Sequence, residues 1–297
     1  MTTDQDELRA AQQYMGGFAW PTVLLGVVVF FAYILVPLLV AGEQLPLWLG
    51  TLLMAVLTYM AYTVLHDAAH GSISGSNQSL RWLNECMGYL AGFMMMIPMT
   101  AHRHEHLSHH RNTNDPEADP DYVVADLLRS PWYPLYAIAG IIVSQYRYYF
   151  SQRWGKGPRS QDVKFCLELV AIIGFRVLFM VQGYWLEGAV LFLVGGLGGV
   201  FITMYLFAYL VHHPHQTMGR YVDTSTFDVP GSMGGIVTWL WLFQNYHAIH
   251  HLFPRVPFYH YRKLFYQIEP VMLANGAPIY RPGKSALFDQ VAVSKTA

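Results

Sequence analysis

Histidines form the residue pattern from which chemistry can be predicted. Of the fourteen histidines, thirteen lie in four short windows, 66–70, 102–110, 212–215 and 247–251. A lone histidine such as His260 is usually a surface residue or a hydrogen-bonded core residue. Thirteen clustered histidines need another explanation, because buried neutral imidazoles require polar partners and packed imidazolium ions repel one another. A bound metal would supply the missing partner.

The number and type of ligands narrow the choice of metal. Imidazole suits zinc, copper, iron and nickel, but a zinc site usually needs only about three or four protein ligands. About nine converging imidazoles are enough for two metal ions, each with an open position. Cys86 and Cys166 are too few for a thiolate site. The pattern favours a histidine-rich di-iron centre that uses O2 as co-substrate, although composition alone does not separate iron from zinc.

The composition indicates a membrane protein. Hydrophobic residues make up 54% and charged residues 12% of the 297 residues, whereas a soluble domain carries roughly a quarter charged residues. A net charge of -1 offers no basic excess for nucleic-acid binding. Residues 1–16 are polar and lack the basic start of a signal peptide. We therefore predict a free N-terminal tail there.

Long apolar segments predict an all-α integral membrane fold in one domain, 1–297. A run of about 18 or more apolar residues can span a bilayer as a helix. One run contains two charged residues, Glu168 and the mid-span Arg176. Arg176 is expected to face the bundle interior. The turns at 42–45 and 185–188 join the runs into two hairpins. The four predicted spans are 17–41, 46–65, 166–186 and 188–211.

Basic residues predict the sides of these spans. Short cytoplasmic flanks carry the excess of lysine and arginine, and the four-span arrangement puts all eighteen except Arg176 on one face. Both termini and all four histidine windows are then cytoplasmic, in a histidine-rich cap on the membrane, most simply a bacterial inner membrane. The shorter apolar stretches 87–99 and 131–144 predict re-entrant, interfacial or buried helices, since one further span would break the charge bias.

The histidine boxes resemble those of the membrane fatty-acid desaturase and hydroxylase superfamily. That pattern is His-x(3 or 4)-His, then His-x-x-His-His, then a later His-x-x-His-His. The resemblance extends from the first span to about residue 270. The matching residues are His66 and His70, then His106, His109 and His110, then His247, His250 and His251.

Within the superfamily, three segments are most similar to ferredoxin-dependent β-carotene hydroxylases. These are Asn-Asp-Pro-Glu-Ala-Asp-Pro-Asp at 114–121, the third-box context at 244–257 and Tyr-Leu-x-His-x-Pro at 209–214. The last segment makes His212 the ninth metal ligand. Because it departs from the Pro-His-Arg-Pro of that group, His215 is the alternative.

The resemblance implies a function as well as a fold. It implies two iron ions, O2, a ferredoxin-like electron donor and hydroxylation of a carotenoid end ring, of the β-carotene to zeaxanthin type. The substrate is then a hydrophobic polyene or lipid taken from the surrounding membrane lipids. An acyl-lipid desaturase or a carotenoid ketolase would carry the same boxes. A histidine-lined metal transporter is the alternative from another class, but it would need ligands at mid-membrane depth.

Several polar residues near the boxes could accept the free ring N–H of a ligand histidine. For the two Asp-Pro steps, a turn and a helix cap are an equally good explanation. His102 and His104 could orient ligands, transfer protons or lie at the surface. The candidates for orienting ligands are Asp67, Asp119, Asp121, Asn245 and His215.

Two further sets of residues, one of methionines and one of basic residues, each have two possible explanations. The methionines at 94–96 and Met99 could line a channel for a polyene, although packing is the simpler account. A basic set could dock an acidic electron carrier, and contact with anionic lipid explains it equally well. The basic set is Arg147, Arg153, Lys156, Arg159 and Lys164.

Overall fold

Helices form nearly all of the regular structure in residues 4–281, the part of the chain that the computed structural model describes. Two short strands, β1 (Thr226–Phe227) and β2 (Ile279–Tyr280), pair in parallel. The helices are α1 (Asp4–Gln12), α2 (Trp20–Ala41), α3 (Leu47–His70), α4 (Arg81–Met95), α5 (Met99–Asn112), α6 (Tyr133–Tyr148), α7 (Arg159–Val181), α8 (Trp185–His212), α9 (Gly231–Leu240), α10 (His247–Leu252) and α11 (Tyr261–Ala274).

Within residues 4–281, α2, α3 and α8 are long and apolar enough to cross a membrane. Large apolar side chains such as Leu24, Val28 and Phe31 point outward from α2 and are exposed, as expected for a surface that faces lipid. The predicted third span corresponds to α7, which is 23 residues long but carries five charged residues. The integral membrane character is therefore supported by three helices, and the four-span arrangement stays a prediction.

Some predicted boundaries were wrong by a few residues. The third span was predicted to end at residue 186, but α7 ends at Val181 and the chain turns at 182–184. Gly183, at φ 102°, makes this turn possible. The second span continues to His70, where Gly71 ends the helix in a left-handed conformation. The stretch 87–99 does not form one helix, because Met96 adopts φ 60° between α4 and α5.

The N-terminal segment is not a free tail, contrary to the prediction. Helix α1 packs on α11, with Ala11 fully buried in the same apolar cluster. The Glu7 carboxylate is buried and accepts hydrogen bonds from Arg220 and Tyr221. A buried carboxylate requires such partners, and they fix α1 to the cap. The predicted cytoplasmic ends of the chain, residues 1–3 and 282–297, lie outside the described residues.

Arg176 faces the bundle interior, as predicted. Its guanidinium donates hydrogen bonds to the Tyr33 hydroxyl at 2.8 Å, to the Phe93 carbonyl at 2.8 Å and to the Ile172 carbonyl at 2.7 Å. The positive charge of the guanidinium is therefore stabilised by three oxygen atoms and is not exposed to hydrocarbon. These bonds tie α7 to α2 and to the end of α4, immediately before the chain enters α5.

Helix α3 is the centre of the bundle and packs against α2, α4 and α8. Small residues bring the backbones of α3 and α8 together: a Cβ atom at Gly199 would lie 2.5 Å from Thr58 Cβ and 2.6 Å from the Ala55 carbonyl oxygen. Close approach through small residues is a common way of packing membrane helices. This contact fixes the position of α8, which ends at His212.

We expect Gly199→Ala to destabilise the bundle by about 1–3 kcal/mol, because the added methyl group would overlap the α3 backbone. Gly174→Ala on α7 is the matched control, since no atom lies within 4 Å of the Cβ position there. Thermal unfolding in detergent should show a lower Tm for the first variant and an unchanged or higher Tm for the second. Equal Tm values would contradict the packing argument.

Candidate metal centre

The four histidine windows meet at one end of the bundle. In each of two groups, the candidate ligand atoms all lie within 4.8 Å of one another. The first group contains five imidazoles and the second contains three. The first group is His66 and His70 from α3, His106 and His110 from α5, and His250 from α10; the second is His109 from α5, His212 from α8 and His251 from α10.

Helical periodicity explains how each window supplies its group. Residues four apart lie on one helix face, so His106 and His110 reach the first group together. His109 precedes His110 by one position and points to a different side of α5, toward the second group. His250 and His251 divide in the same way on α10. Helices α5 and α10 therefore hold both groups at a fixed separation.

His247, the ninth predicted ligand, lies beside both groups without belonging to either. Its ring centroid is 5.2 Å from that of His250, 4.9 Å from that of His251 and 5.3 Å from that of His212. The Nδ1 atom is 2.8 Å from the Gln244 side-chain oxygen. This contact turns the other ring nitrogen, Nε2, away from Gln244. The role of His247 as a metal ligand stays a prediction.

Unpartnered nitrogen atoms in the two groups fit bound metal ions. A buried polar atom without a hydrogen bond is costly. Among the described residues, such atoms include both ring nitrogens of His66 and the Nε2 atoms of His70, His212 and His251. In the first group, His110 Nε2 also lies 2.8 Å from His250 Nε2. A cation between the rings would satisfy these lone pairs together, and an all-nitrogen donor set suits iron as well as zinc or copper.

Electrostatics distinguish His109 from the other imidazoles at the site. Burial lowers the pKa of His247 to about 3 and that of His250 well below its usual range, so these rings are neutral and each keeps one nitrogen lone pair. At His109 burial also opposes the charged form, but the negative charges of Asp119 and Asp121 outweigh it and raise the pKa to about 9. The carboxylates beside His109 therefore favour a cation at that ring, either a proton or a metal ion.

Hydrogen bonds at the outer ring nitrogens orient the imidazoles. His109 Nδ1 lies 2.8 Å from Asp119, His212 Nδ1 lies 3.2 Å from the Asp223 carbonyl oxygen and His250 Nδ1 lies 3.0 Å from the Tyr261 hydroxyl. Each contact leaves Nε2 to face the centre of the group. Such contacts fix the orientation and raise the basicity of metal-ligating histidines.

Both explanations offered for the Asp-Pro segment apply to Asp119. One carboxylate oxygen contacts His109, while the carboxylate also accepts hydrogen bonds from the backbone N–H groups of Asn114 and Asp121, each at 2.9 Å. Asp119 therefore closes the turn and orients a ring. The Asp121 carboxylate is farther from His109 Nδ1, at 3.8 Å.

Three residues predicted to orient ligands make other contacts in the structure. Asp67 accepts a hydrogen bond from Thr22 at 2.8 Å and links α3 to α2. Asn245 donates to the Phe227 carbonyl at 2.9 Å and braces the short sheet. His215 donates from Nε2 to the Tyr209 carbonyl at 3.1 Å and belongs to neither group. Of the two alternatives at the end of α8, the structure brings His212 into a group.

Four residues near the groups were not identified from the sequence. Gln244 precedes His247 by three positions, a spacing that could have indicated contact on a helical turn. Glu105 stands inside the second window, where it is buried and accepts a hydrogen bond from Ser144. Burial, and next the charge of Asp121, raise the pKa of Glu105. Tyr261 and Asp223 had no sequence signal.

A fatty acid desaturase family model matches residues 43–283. The chain belongs to the fatty acid desaturase family. The superfamily membership predicted from the histidine boxes is therefore confirmed, and the chain is an oxidoreductase. The family depends on two iron ions, which agrees with two histidine groups that can each hold a metal.

Curated relatives in the family act on acyl lipids according to their names. The chain is 28% identical to the sn-1 oleoyl-lipid 12-desaturase of Picosynechococcus sp., over 84% of this chain and 76% of the relative. It is 26% identical to the acyl-lipid (7-3)-desaturase of Diacronema lutheri, over 86% and 64%. It is 22% identical to the sn-1 acyl-lipid omega-3 desaturase (ferredoxin) of Synechocystis sp., over 74% and 67%.

We expect His212→Ala to reduce bound iron from about two ions to about one per chain, because the second group would lose one of its three imidazoles. His215→Ala is the control and should retain the iron of the parent protein, since its ring faces Tyr209. Metal content of the purified proteins would be measured by mass spectrometry. Loss of iron in the His215 variant alone would reverse this choice of ligand.

Asp119→Asn should also weaken metal binding, by about 10- to 100-fold. The amide keeps the size of the side chain but removes the negative charge beside His109. Asp115→Asn is the control, because its carboxylate accepts backbone N–H groups of the same loop. Chelator competition gives the iron affinity of each protein, and equal affinities would rule out the role of Asp119.

Proposed function

We propose that this chain hydroxylates the end ring of a carotenoid, in a reaction of the β-carotene to zeaxanthin type that uses two iron ions and O2. One network carries the proposal. The Asn114 side chain donates to the Asp223 carbonyl and to the Thr217 carbonyl, each at 2.8 Å. The Asp223 carbonyl also accepts from His212, and Asp119 holds His109. Two of the segments that resemble carotenoid hydroxylases, 114–121 and 209–214, thus form one frame around the second group.

A small cavity of about 40 Å³, with mostly apolar walls, lies beside the histidines. Tyr62 forms one wall, with its ring centroid 5.7 Å from that of His66 and 5.6 Å from that of His102. Met95 and Phe207 line the same cavity. Apolar walls of this kind favour contact with a hydrocarbon group over contact with water. Met94 and Met99 are fully buried in the core instead. Met95 thus fits the explanation as a channel-lining residue, and Met94 and Met99 fit the explanation as packing residues.

The residues around the cavity would bind and orient the substrate. Bound iron would supply the activation of O2 and the oxidising power needed to break an unactivated C–H bond. Tyr62 and Phe207 pack edge to face, with centroids 4.8 Å apart, and would hold a ring or polyene segment next to the first group. His102, hydrogen-bonded to Gln145 at 3.3 Å, adds a polar group at the same wall.

The membrane arrangement is part of the proposal. We place α7 in the bilayer as a fourth span beside α2, α3 and α8. Leu167, Val170 and Ile173 form an exposed apolar face on it, and Arg176 has hydrogen-bond partners inside the bundle. The metal centre and the termini are then on the cytoplasmic side of a bacterial inner membrane. The excess of basic residues on that face supports this orientation.

Acyl-lipid desaturation is the second candidate, favoured by the activities named for the three relatives. The apolar side chains beside Tyr62 would suit an acyl chain as well as a polyene. A carotenoid ketolase would use the same site and differ in its product. Metal transport receives no support, since His70 and His212 are at helix ends and transport requires ligands at mid-membrane depth.

Expression in a bacterium that accumulates β-carotene tests the proposal. We expect pigment chromatography and mass spectrometry to show the gain of one or two hydroxyl oxygens. His109→Ala and His250→Ala should lose both iron and product, because each removes a ligand from one group. A keto product, or altered acyl unsaturation with unchanged pigment, would contradict hydroxylation and favour one of the other two activities.

A further inference from the structure

A polar pocket adjoins the first group at His70. It has a volume of about 370 Å³ and is formed at the end of α3, with His70 in its wall. His70 is one of the five imidazoles of the first group and is only partly buried. A molecule in this pocket would therefore lie directly against the imidazole of His70, a member of the first group.

Arginines dominate the charge of this pocket. Arg81, Arg103 and Arg255 line it, together with one carboxylate, Glu85. Glu85 is already paired with Arg103 at 2.6 Å and with Lys164 at 4.0 Å. Arg81 and Arg255 are exposed, and neither side chain has a hydrogen bond or ion pair to any other described residue. Two guanidinium groups thus remain free to bind an anionic partner.

The lining favours a soluble partner over a lipid. None of the described residues that line this pocket is a Val, Leu, Ile, Met, Phe, Tyr or Trp, so the pocket itself offers no large apolar side chain to a lipid tail. Trp82, next to Arg81 in the chain, is exposed outside this lining. The basic set at 147–164 differs, because Phe150 and Trp154 are exposed within it. Aromatic and basic side chains together are typical of the membrane interface.

We propose that Arg81, Arg103 and Arg255 form the docking site for the acidic surface of a soluble one-electron carrier, an iron–sulfur protein, which passes electrons to the metal centre past His70. The proposal rests on the oxygenase function above. Hydroxylation converts C–H, O2, two electrons and two protons into C–OH and water, so two reduced carriers must dock in turn and leave oxidised. Charge complementarity accelerates such encounters, and electron-transfer interfaces are typically small.

The double variant Arg81→Gln/Arg255→Gln tests the proposal in the iron-loaded protein, with reduced plant-type ferredoxin as the probe. We expect the Kd for ferredoxin to rise at least ~10-fold and the second-order rate of ferredoxin oxidation to fall by a similar factor. The dependence of that rate on salt should become weaker. Iron content and single-turnover product after reduction with dithionite should be unchanged, because neither side chain contacts a histidine group.

Arg147→Gln/Arg159→Gln is the matched control, since it removes the same charge from the other basic set. It should leave ferredoxin binding unchanged. An equal or larger loss in this control, an unchanged Kd in the pocket variant, or no ferredoxin binding by the parent protein at low salt would overturn the proposal. So would weaker flotation of the pocket variant on phosphatidylglycerol vesicles with normal ferredoxin binding, because that result identifies a lipid site.

The measurements separate this proposal from the proposed function. Ferredoxin binding and oxidation are recorded without carotenoid or acyl substrate, so an incorrect substrate leaves both results intact. Conversely, a normal hydroxylated product from the pocket variant with dithionite, combined with unchanged ferredoxin kinetics, would refute the docking site and leave the hydroxylase function standing.

Discussion

The burial of many imidazoles, most of them unprotonated, in a small volume is the constraint on which this structure depends. Eight rings form two groups, and within each group the candidate ligand atoms lie within 4.8 Å of one another. Several of their nitrogen atoms have no hydrogen-bond partner among the described residues. Such an arrangement is unfavourable without a cation. The rest of the fold can be understood as the means of holding these rings where two metal ions would bind them.

Different parts of the fold hold the two groups. The first is built around His66 and His70 on α3, the central helix, whose close contact with α8 depends on Gly199. The second depends on the cap, where Asp119 and the Asp223 carbonyl fix two of its rings. The second group therefore combines fewer imidazoles with nearby negative charge, whereas the first relies on imidazoles alone.

Helix α3 also organises access to the centre. Tyr62, His66 and His70 are four residues apart and share one face of the helix. The apolar cavity adjoins Tyr62 at one end of this face, and the arginine pocket adjoins His70 at the other. A hydrocarbon substrate and a charged electron carrier would thus approach the centre from different sides. This separation would let the substrate side exclude water while a carrier docked from solvent.

The sequence by itself determined the helical membrane class, the family and most of the histidines that meet at the site, because each depends on local composition or on spacing along one helix. It could not show that α1 is packed, since the partners of Glu7 are more than two hundred residues away. It could not choose between His212 and His215, which are three positions apart, or find Tyr261 and Asp223 as partners of the rings. Only the tertiary structure decided these points, because orientation and contact between distant segments depend on how the helices pack.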